Sequence, residues 1–203
     1  MKLIAVATSP YARKIRVMLA EKGLPFEWVE SSPWEPDGAV AELNPLGKVP
    51  VLITDDGEVF FDSPVIAGWI ETLPATPRLL PANPQDAVRV RQTEALADGI
   101  ADAALAIVLE GRRPEGQRSE EEIGRQLQKI ERGLDQLEQQ IAGRPWLQGK
   151  TISLGDIAAG ATFAYLDLRL PHLGWRFTRP ELALLAERLL QRPSFQESTP
   201  RMN

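Results

Sequence analysis

The chain opens on an apolar run at residues 2–7 that reads as a short strand. Residues 11–23 carry helical spacing instead. Ile15, Met18 and Leu19 share one face, and Arg13, Lys14, Arg16, Glu21 and Lys22 fall largely off it. Pro10 suits the first turn of that helix and Gly23 suits its stop. Phe26-Glu-Trp-Val-Glu is a second strand. Gly38 to Leu43 forms a short helix closed by Asn44-Pro45. Val51-Leu-Ile-Thr and Glu58-Val-Phe-Phe flank Asp55-Asp56-Gly57, and Asp-Gly between apolar runs signals a hairpin. Ser63-Pro64 then opens a helix through Leu73. The predicted order is β-α-β-α-β-β-α: a parallel pair extended by an antiparallel hairpin, with helices on both faces.

Residues 74–86 break this pattern with prolines at 74, 77, 81 and 84, a composition that suits a linker. Nearly everything beyond it reads as helix. Ile123, Leu127, Ile130, Leu134, Leu137 and Ile141 alternate spacings of four and three, which draws one apolar stripe along a helix. Residues 87–110 form another helix, with Ile100, Ala104, Ile107 and Val108 on one side, and 154–170 and 180–191 complete the set. The expected organisation is an α/β domain at residues 1–75, a linker at 76–86 and an all-α helical bundle at 87–203.

Composition narrows the function. The chain has 203 residues, 43% of them hydrophobic and 25% charged, enough for an ordinary packed core. The net charge of -5 offers no footprint for a phosphate backbone, so no nucleic-acid partner is expected. No apolar run is long enough to span a bilayer, and the strand-like N-terminus does not resemble a secretory signal. The expectation is a cytoplasmic protein with no membrane partner. There is no cysteine, which excludes disulfides, thiolate metal sites and a cysteine nucleophile; any thiol must arrive with the substrate. The single histidine, His172, has no evident companion, and no metal is expected.

Three short segments can carry chemistry. In Thr8-Ser9-Pro10-Tyr11 a strand turns into a helix. Ser9 is a natural N-cap, and the same helix start favours an anion such as a thiolate. A serine hydroxyl can accept a capping bond and still donate to a sulfur anion, so the two roles are compatible. In Asn44-Pro-Leu-Gly-Lys-Val-Pro-Val-Leu, a proline leads into a buried strand. Either Pro50 starts the strand in trans, or a cis Val49–Pro50 bond aims the Val49 main chain at a peptide-like ligand. In Asp62-Ser63-Pro64, Asp62 caps a helix or pairs with an ammonium, and Ser63 offers its hydroxyl and N–H to a carboxylate.

Together these segments resemble the serine-type glutathione S-transferases of bacteria, near the tau and omega branches. The opening from Ser9 through Glu27, the Val49-Pro50 loop and Asp62-Ser63 fall in the family's order. Leu147-Gln-Gly-Lys-Thr-Ile-Ser-Leu-Gly-Asp156-Ile-Ala resembles its second-domain capping motif, so the likeness covers essentially the whole chain. It implies a thioredoxin-like first domain, a helical second domain, a homodimer, and glutathione as co-substrate. By resemblance, the Val49 main chain would pair with the cysteinyl part of glutathione, with Pro50 beside it among the binding residues, and Asp62 and Ser63 would hold its γ-glutamyl end. Lys48 would approach the glycyl carboxylate, and Ser9 would activate the thiol. Ser153 and Asp156 have a structural account as a near-capping box and are expected to support folding. Omega and beta branches use a cysteine that this chain lacks, so exchange through a protein–glutathione disulfide is ruled out.

The implied activity is conjugation of glutathione to a small hydrophobic electrophile, or peroxide reduction, in a detoxification role. Tyr11, Trp34, Leu105 and Trp175 are candidate walls of an apolar electrophile pocket between the domains, and each also has an account as ordinary packing. The alternatives are a non-catalytic glutathione-binding or partner-binding protein, and a glutathione-dependent isomerase or dehalogenase.

Overall fold

A computed structural model of the chain describes residues 1–34 and 39–200. The elements of the first region are β1 (Lys2–Ala5), α1 (Pro10–Glu21), β2 (Glu27–Glu30), α2 (Ala39–Leu43), β3 (Val51–Ile53), β4 (Val59–Phe60) and α3 (Ser63–Thr72). The order agrees with the pattern of the sequence; the expected start of α2 at Gly38 lies outside the described residues. The sheet runs β2-β1-β3-β4, with β1 parallel to β2 and antiparallel to β3, and β3 antiparallel to β4. This is the thioredoxin-like α/β architecture. Alternation along β1 sends Ile4 to one face, where it packs with Val51 and with Val40 of α2. Leu3 and Ala5 are buried in turn, as are Ile15, Met18 and Leu19 of α1 and Ile66 and Ile70 of α3.

The second region is helical: α4 (Pro84–Gly111), α5 (Glu120–Ile141), α6 (Leu154–Arg169), α7 (Trp175–Thr178) and α8 (Pro180–Leu190), followed by α9 (Pro193–Glu197). Ile130, Leu134, Leu137 and Ile141 of the predicted α5 stripe are buried. The α5 helix is also tied to the chain around α7 and α8. Arg179 donates to Asp135 Oδ1 at 3.0 Å through Nε and to Glu131 Oε2 at 2.5 Å. No helix among the described residues is long and apolar enough to cross a membrane. Among the same residues, no group of histidine, cysteine, aspartate and glutamate side chains is arranged to hold a metal ion.

Two boundaries differ from the sequence reading. The compact units are Met1–Pro81 together with the chain from Gln191 onward, and Ala82–Leu190. The stretch expected as a linker at 76–86 therefore divides. Its first part is fastened to the α/β unit: Lys22 Nζ donates to Ala75 O and Pro77 O and pairs with Glu71 at 2.9 Å. Glu71 in turn accepts from the Leu79 and Leu80 N–H groups. Its last part is the start of α4. Asn83 caps by accepting from Gln85 and Asp86 N–H, and Pro84 occupies the first turn, where a missing N–H costs nothing.

The second difference is at the C-terminus, which belongs with the α/β unit and not with the helical bundle. The cause lies on α1. Arg13 donates to Phe195 O, Ser198 Oγ and Thr199 Oγ1, and Glu21 is held by Arg192 and Ser194. Arg13, Lys14 and Lys22 are buried, where the sequence pattern placed them on an outer face. Burial, with the nearby Arg16 charge, lowers the Arg13 guanidinium to about 10. Burial would raise the Glu21 carboxyl, but its bonds to Arg192 and Ser194 outweigh that and hold it below the usual range.

Candidate functional site

The register of the sheet brings the three sequence segments to one place. Ile4 faces Val51, so extending that ladder sets Val6 against Val49. Leu52 faces Phe60, so extending the next sets Pro50 against Asp62. The carboxyl end of β1, the entry to β3 and the exit of β4 therefore share one end of the sheet. Helices α1 and α3 both begin there, with their N–H groups unsatisfied by the helix itself.

At the first of these helix starts, Ser9 is 8% exposed and has extended backbone angles. Its N–H donates to Val6 O at 3.0 Å and its Oγ accepts from the Ala12 N–H at 3.2 Å, which makes it an N-cap. That bond uses one lone pair; the hydroxyl proton remains to be donated. The turn before Ser9 is braced by Glu30, which accepts from the Ala7 N–H at 3.2 Å and from Trp28 Nε1 at 2.8 Å. Tyr11 on the first turn of α1 is half-buried, and Trp34 is 63% exposed.

The Val49–Pro50 bond is cis, one of the two forms open from sequence. Pro50 is buried, Val49 half-buried and Lys48 exposed. The loop is organised by Asn44, a residue the sequence motif contains without disclosing its work. Its Nδ2 donates to Lys48 O at 2.8 Å, its Oδ1 accepts from the Leu46 N–H at 3.0 Å, and its carbonyl accepts from the Gly47 N–H at 2.8 Å. Gly47 sits at φ +60°, a left-handed conformation glycine takes without a Cβ penalty. The signal for Asn44 is its position four residues before Lys48, flanked by turn residues.

At the second helix start, the Phe61–Asp62 bond is also cis. Asp62 is exposed and its carboxylate accepts from the Ser63 N–H. A carboxylate has about four lone-pair sites, so this bond leaves room for an ammonium. Ser63 is 0% exposed, and its Oγ has no hydrogen-bond partner among the described residues. Buried hydroxyls are ordinarily paired, so this oxygen keeps its hydrogen-bonding capacity open to an outside group.

In the helical unit, Leu105 on α4 is half-buried. Trp175 is 2% exposed, stacks on Phe163 with ring centroids 4.9 Å apart, and donates from Nε1 to Asp167 at 2.9 Å. Its faces and polar edge are occupied by packing. His172 is exposed. Asp156 is 0% exposed and accepts from Leu147 N–H, Ser153 N–H and Ser153 Oγ at 2.8, 2.9 and 2.6 Å. Desolvation raises its carboxyl, opposed by these bonds.

Known proteins share this fold. Residues 8–73 match the model of the glutathione S-transferase N-terminal domain, and residues 120–188 match that of the C-terminal domain. An uncharacterized GST-like protein of Escherichia coli, YibF, is 46% identical over 200 residues, covering 98% of each chain. A glutathione S-transferase of Methylobacterium radiotolerans, solved with glutathione sulfonate, is 44% identical with a TM-score of 0.94, covering 100% of this chain and 95% of that one. Another from Methylobacillus flagellatus, solved with glutathione bound, is 44% identical with a TM-score of 0.95, covering 98% and 99%.

Proposed function

The chain belongs to the glutathione S-transferase superfamily, and we propose that it binds glutathione at the end of its sheet, stabilises the thiolate at Ser9 and transfers the sulfur to a small apolar electrophile. The observation that carries this reading is the convergence of Ser9, Val49 and Ser63 at one sheet end, with the Ser63 hydroxyl buried and unpartnered. The glutathione sulfonate bound in one 44%-identical relative and the glutathione bound in another support the same reading.

Each group has a role set by its chemistry. The Val49 N–H and C=O pair with the cysteinyl backbone, as a strand pairs with a peptide. The Ser63 hydroxyl donates to the γ-glutamyl carboxylate, and Asp62 accepts from the γ-glutamyl ammonium. Lys48 neutralises the glycyl carboxylate. A free thiol titrates near about 8.5, so little thiolate is present at neutral pH. The Ser9 O–H and the positive end of α1 favour the anion and lower that value. The thiolate then attacks the electrophilic carbon, and the leaving group departs with the bonding pair. With a peroxide, two glutathione molecules supply the electrons and leave as the disulfide; the chain has no cysteine to take part. Tyr11, Trp34 and Leu105 are the side chains on which contacts to the electrophile are sought, and Trp175 is set aside because packing occupies its faces. The working unit is a homodimer in the cytoplasm with a detoxifying role, and light scattering at micromolar concentration tests the dimer.

The test of the function is glutathione calorimetry beside an activity screen against chlorodinitrobenzene, organic peroxides and haloaromatics. Binding with turnover is expected. Binding without turnover moves the protein to a non-catalytic role, and absence of binding removes the reading altogether.

A further inference from the structure

The turn that carries Ser9 is tied to the neighbouring strand by a side chain. Ala5 faces Glu30 in the pairing of β1 with β2, and the Ser31 N–H donates to Ala5 O at 2.9 Å. The chain then turns over Val6–Ser9, closed by the Ser9 N–H on Val6 O at 3.0 Å. The Val6 carbonyl and the Ala7 N–H belong to one peptide group, which is planar. Glu30 Oε1 accepts from that N–H at 3.2 Å. One rigid plane is therefore gripped at both ends, by Ser9 through its carbonyl and by Glu30 through its N–H. A charged acceptor also polarises the peptide and strengthens the bond that its carbonyl accepts.

Glu30 is itself held. Its Oε2 accepts from Trp28 Nε1 at 2.8 Å, and Trp28 lies two residues earlier on β2, so both side chains leave the same face of the strand. Arg16 of α1 covers the indole, its guanidinium carbon 4.5 Å from the ring centroid, and Arg16 Nη2 donates to Glu197 O at 3.1 Å. An exposed glutamate loses rotamer freedom when it holds a single N–H, which weakens such a bond. With Trp28 fixed beneath Arg16, the carboxylate is delivered in one orientation and that loss is shared between two hydrogen bonds.

We propose that Glu30, oriented by Trp28, is a positioning residue for Ser9, a role that rests on Ser9 acting on the glutathione sulfur. It fixes the Val6–Ala7 peptide and, through it, the direction in which the Ser9 hydroxyl is presented. The effect has a sign that charge alone does not give. A carboxylate acting on the sulfur only as a negative charge disfavours the thiolate, so its removal lowers the pH at which the thiol titrates. A carboxylate acting through the Val6–Ala7 peptide favours the thiolate, so its removal raises that pH.

The ultraviolet thiolate absorbance of glutathione bound to the full-length protein is titrated against pH in Glu30→Ala, Glu30→Gln, Ser9→Ala and the Ser9→Ala/Glu30→Ala pair. Steady-state kinetics with chlorodinitrobenzene are measured on the same samples. In Glu30→Ala the titration should move up toward free glutathione. There kcat should fall about threefold to tenfold while the glutathione KM holds within about twofold, a smaller effect than loss of the Ser9 hydroxyl itself. Glu30→Gln keeps an oxygen for the Ala7 N–H and should lie between the alanine variant and the unaltered protein. Added to Ser9→Ala, Glu30→Ala should move the titration no further. A Glu30→Ala titration that stays in place or moves down, while that of Ser9→Ala moves up, overturns the proposal and leaves the role of Ser9 standing. An equal shift with and without the Ser9 hydroxyl also overturns it, because Glu30 then acts by another route. A Ser9→Ala titration identical to that of the unaltered protein overturns both. Glu30 is exposed, so its replacement opens no core. Should Glu30→Ala nevertheless fail to fold, the sign of the shift in Glu30→Gln decides alone.

Discussion

Two helices in this molecule start on an aspartate and a serine, and the two starts are finished differently. At α6, Ser153 and Asp156 close on each other: the carboxylate accepts three hydrogen bonds, and the serine N–H and hydroxyl both have partners. At α3, Asp62 stands exposed and Ser63 is buried with an idle oxygen. The residue types are the same and the helix termini offer the same dipole. What differs is whether the folded chain satisfies its own polar groups. A closed cap speaks of folding; a buried hydroxyl without a partner speaks of something that arrives later.

The largest effect that tests this contrast belongs to Asp156. Replacing it with alanine leaves the Leu147 N–H, the Ser153 N–H and the Ser153 hydroxyl without their acceptor inside the fold. The expected loss in urea unfolding is about 3 kcal/mol, from roughly 1–3 kcal/mol for a buried unsatisfied group and partial relief by water. The affinity of the folded fraction for glutathione should not change. The pH dependence has a definite sign. Burial raises the Asp156 carboxyl above its unfolded value, so the folded state binds the proton more tightly. Its contribution is fully present below about pH 4 and declines as pH rises through the folded value, so the gap to the alanine variant should narrow toward neutrality. A gap that widens with pH would mean the hydrogen bonds outweigh desolvation.

The next effect concerns Ser9, which combines both kinds of helix start: it caps α1 and keeps a proton to donate. Ser9→Ala should lower conjugation roughly tenfold to hundredfold, from about 1.5–3 kcal/mol for a lost bond to a charged acceptor, with glutathione affinity little changed. The ultraviolet thiolate absorbance of bound glutathione, titrated against pH, separates sulfur chemistry from capping. In the unaltered protein it should titrate below free glutathione, and in the variant it should move back. Identical titrations would leave Ser9 as a cap only, with Thr8 and Tyr11 next to be examined.

Much of this contrast was legible in the chain itself, because local signals carry it. Pro10 and Gly23 bracket α1, Asp-Gly places the hairpin, and the 123–141 stripe is a helix whose apolar face the bundle buries. What local pattern cannot show is which charges are turned inward by distant partners. Arg13, Lys14 and Lys22 read as a solvated face, yet Arg13 is engaged by residues 195–199 and Lys22 by residues 71–77. The same remoteness hid the return of the C-terminal segment to the first unit. At the candidate site, Ser9, Val49 and Ser63 were found as motifs, but their convergence rests on two strand registers. Whether a cap is closed or idle is likewise a matter of atoms: Ser153 and Ser63 look alike as letters.

Asp62 offers a smaller test on the open side. Asp62→Asn keeps an oxygen for the Ser63 N–H and removes the charge that would face an ammonium. Glutathione affinity by calorimetry should fall about tenfold, and thermal stability should hold within a degree or two, since an asparagine caps about as well as an aspartate. Unchanged affinity would take Asp62 out of the site.

The smallest effect is the sharpest discriminator, because it predicts opposite signs for two measurements. Ser63 Oγ is buried and has no partner among the described residues. Removing a partnered buried hydroxyl costs stability; removing an idle one removes a desolvation penalty and leaves only a small void. Ser63→Ala should therefore be as stable as the unaltered protein, or more stable by about 0.5–1 kcal/mol, in the absence of ligand. With glutathione present the order should reverse. The variant loses a donor to a carboxylate, and its affinity should fall about tenfold, from roughly 1.5 kcal/mol for a bond to a charged group. Ser153→Ala, made beside it, should show the other pattern: lower stability without ligand and unaltered glutathione affinity of the folded fraction. If Ser63→Ala is destabilised like Ser153→Ala, its hydroxyl has a partner in the free protein and the distinction between the two helix starts is lost. If it is stable and binds glutathione as well as before, the oxygen is idle in both states, and the γ-glutamyl carboxylate is held by other groups.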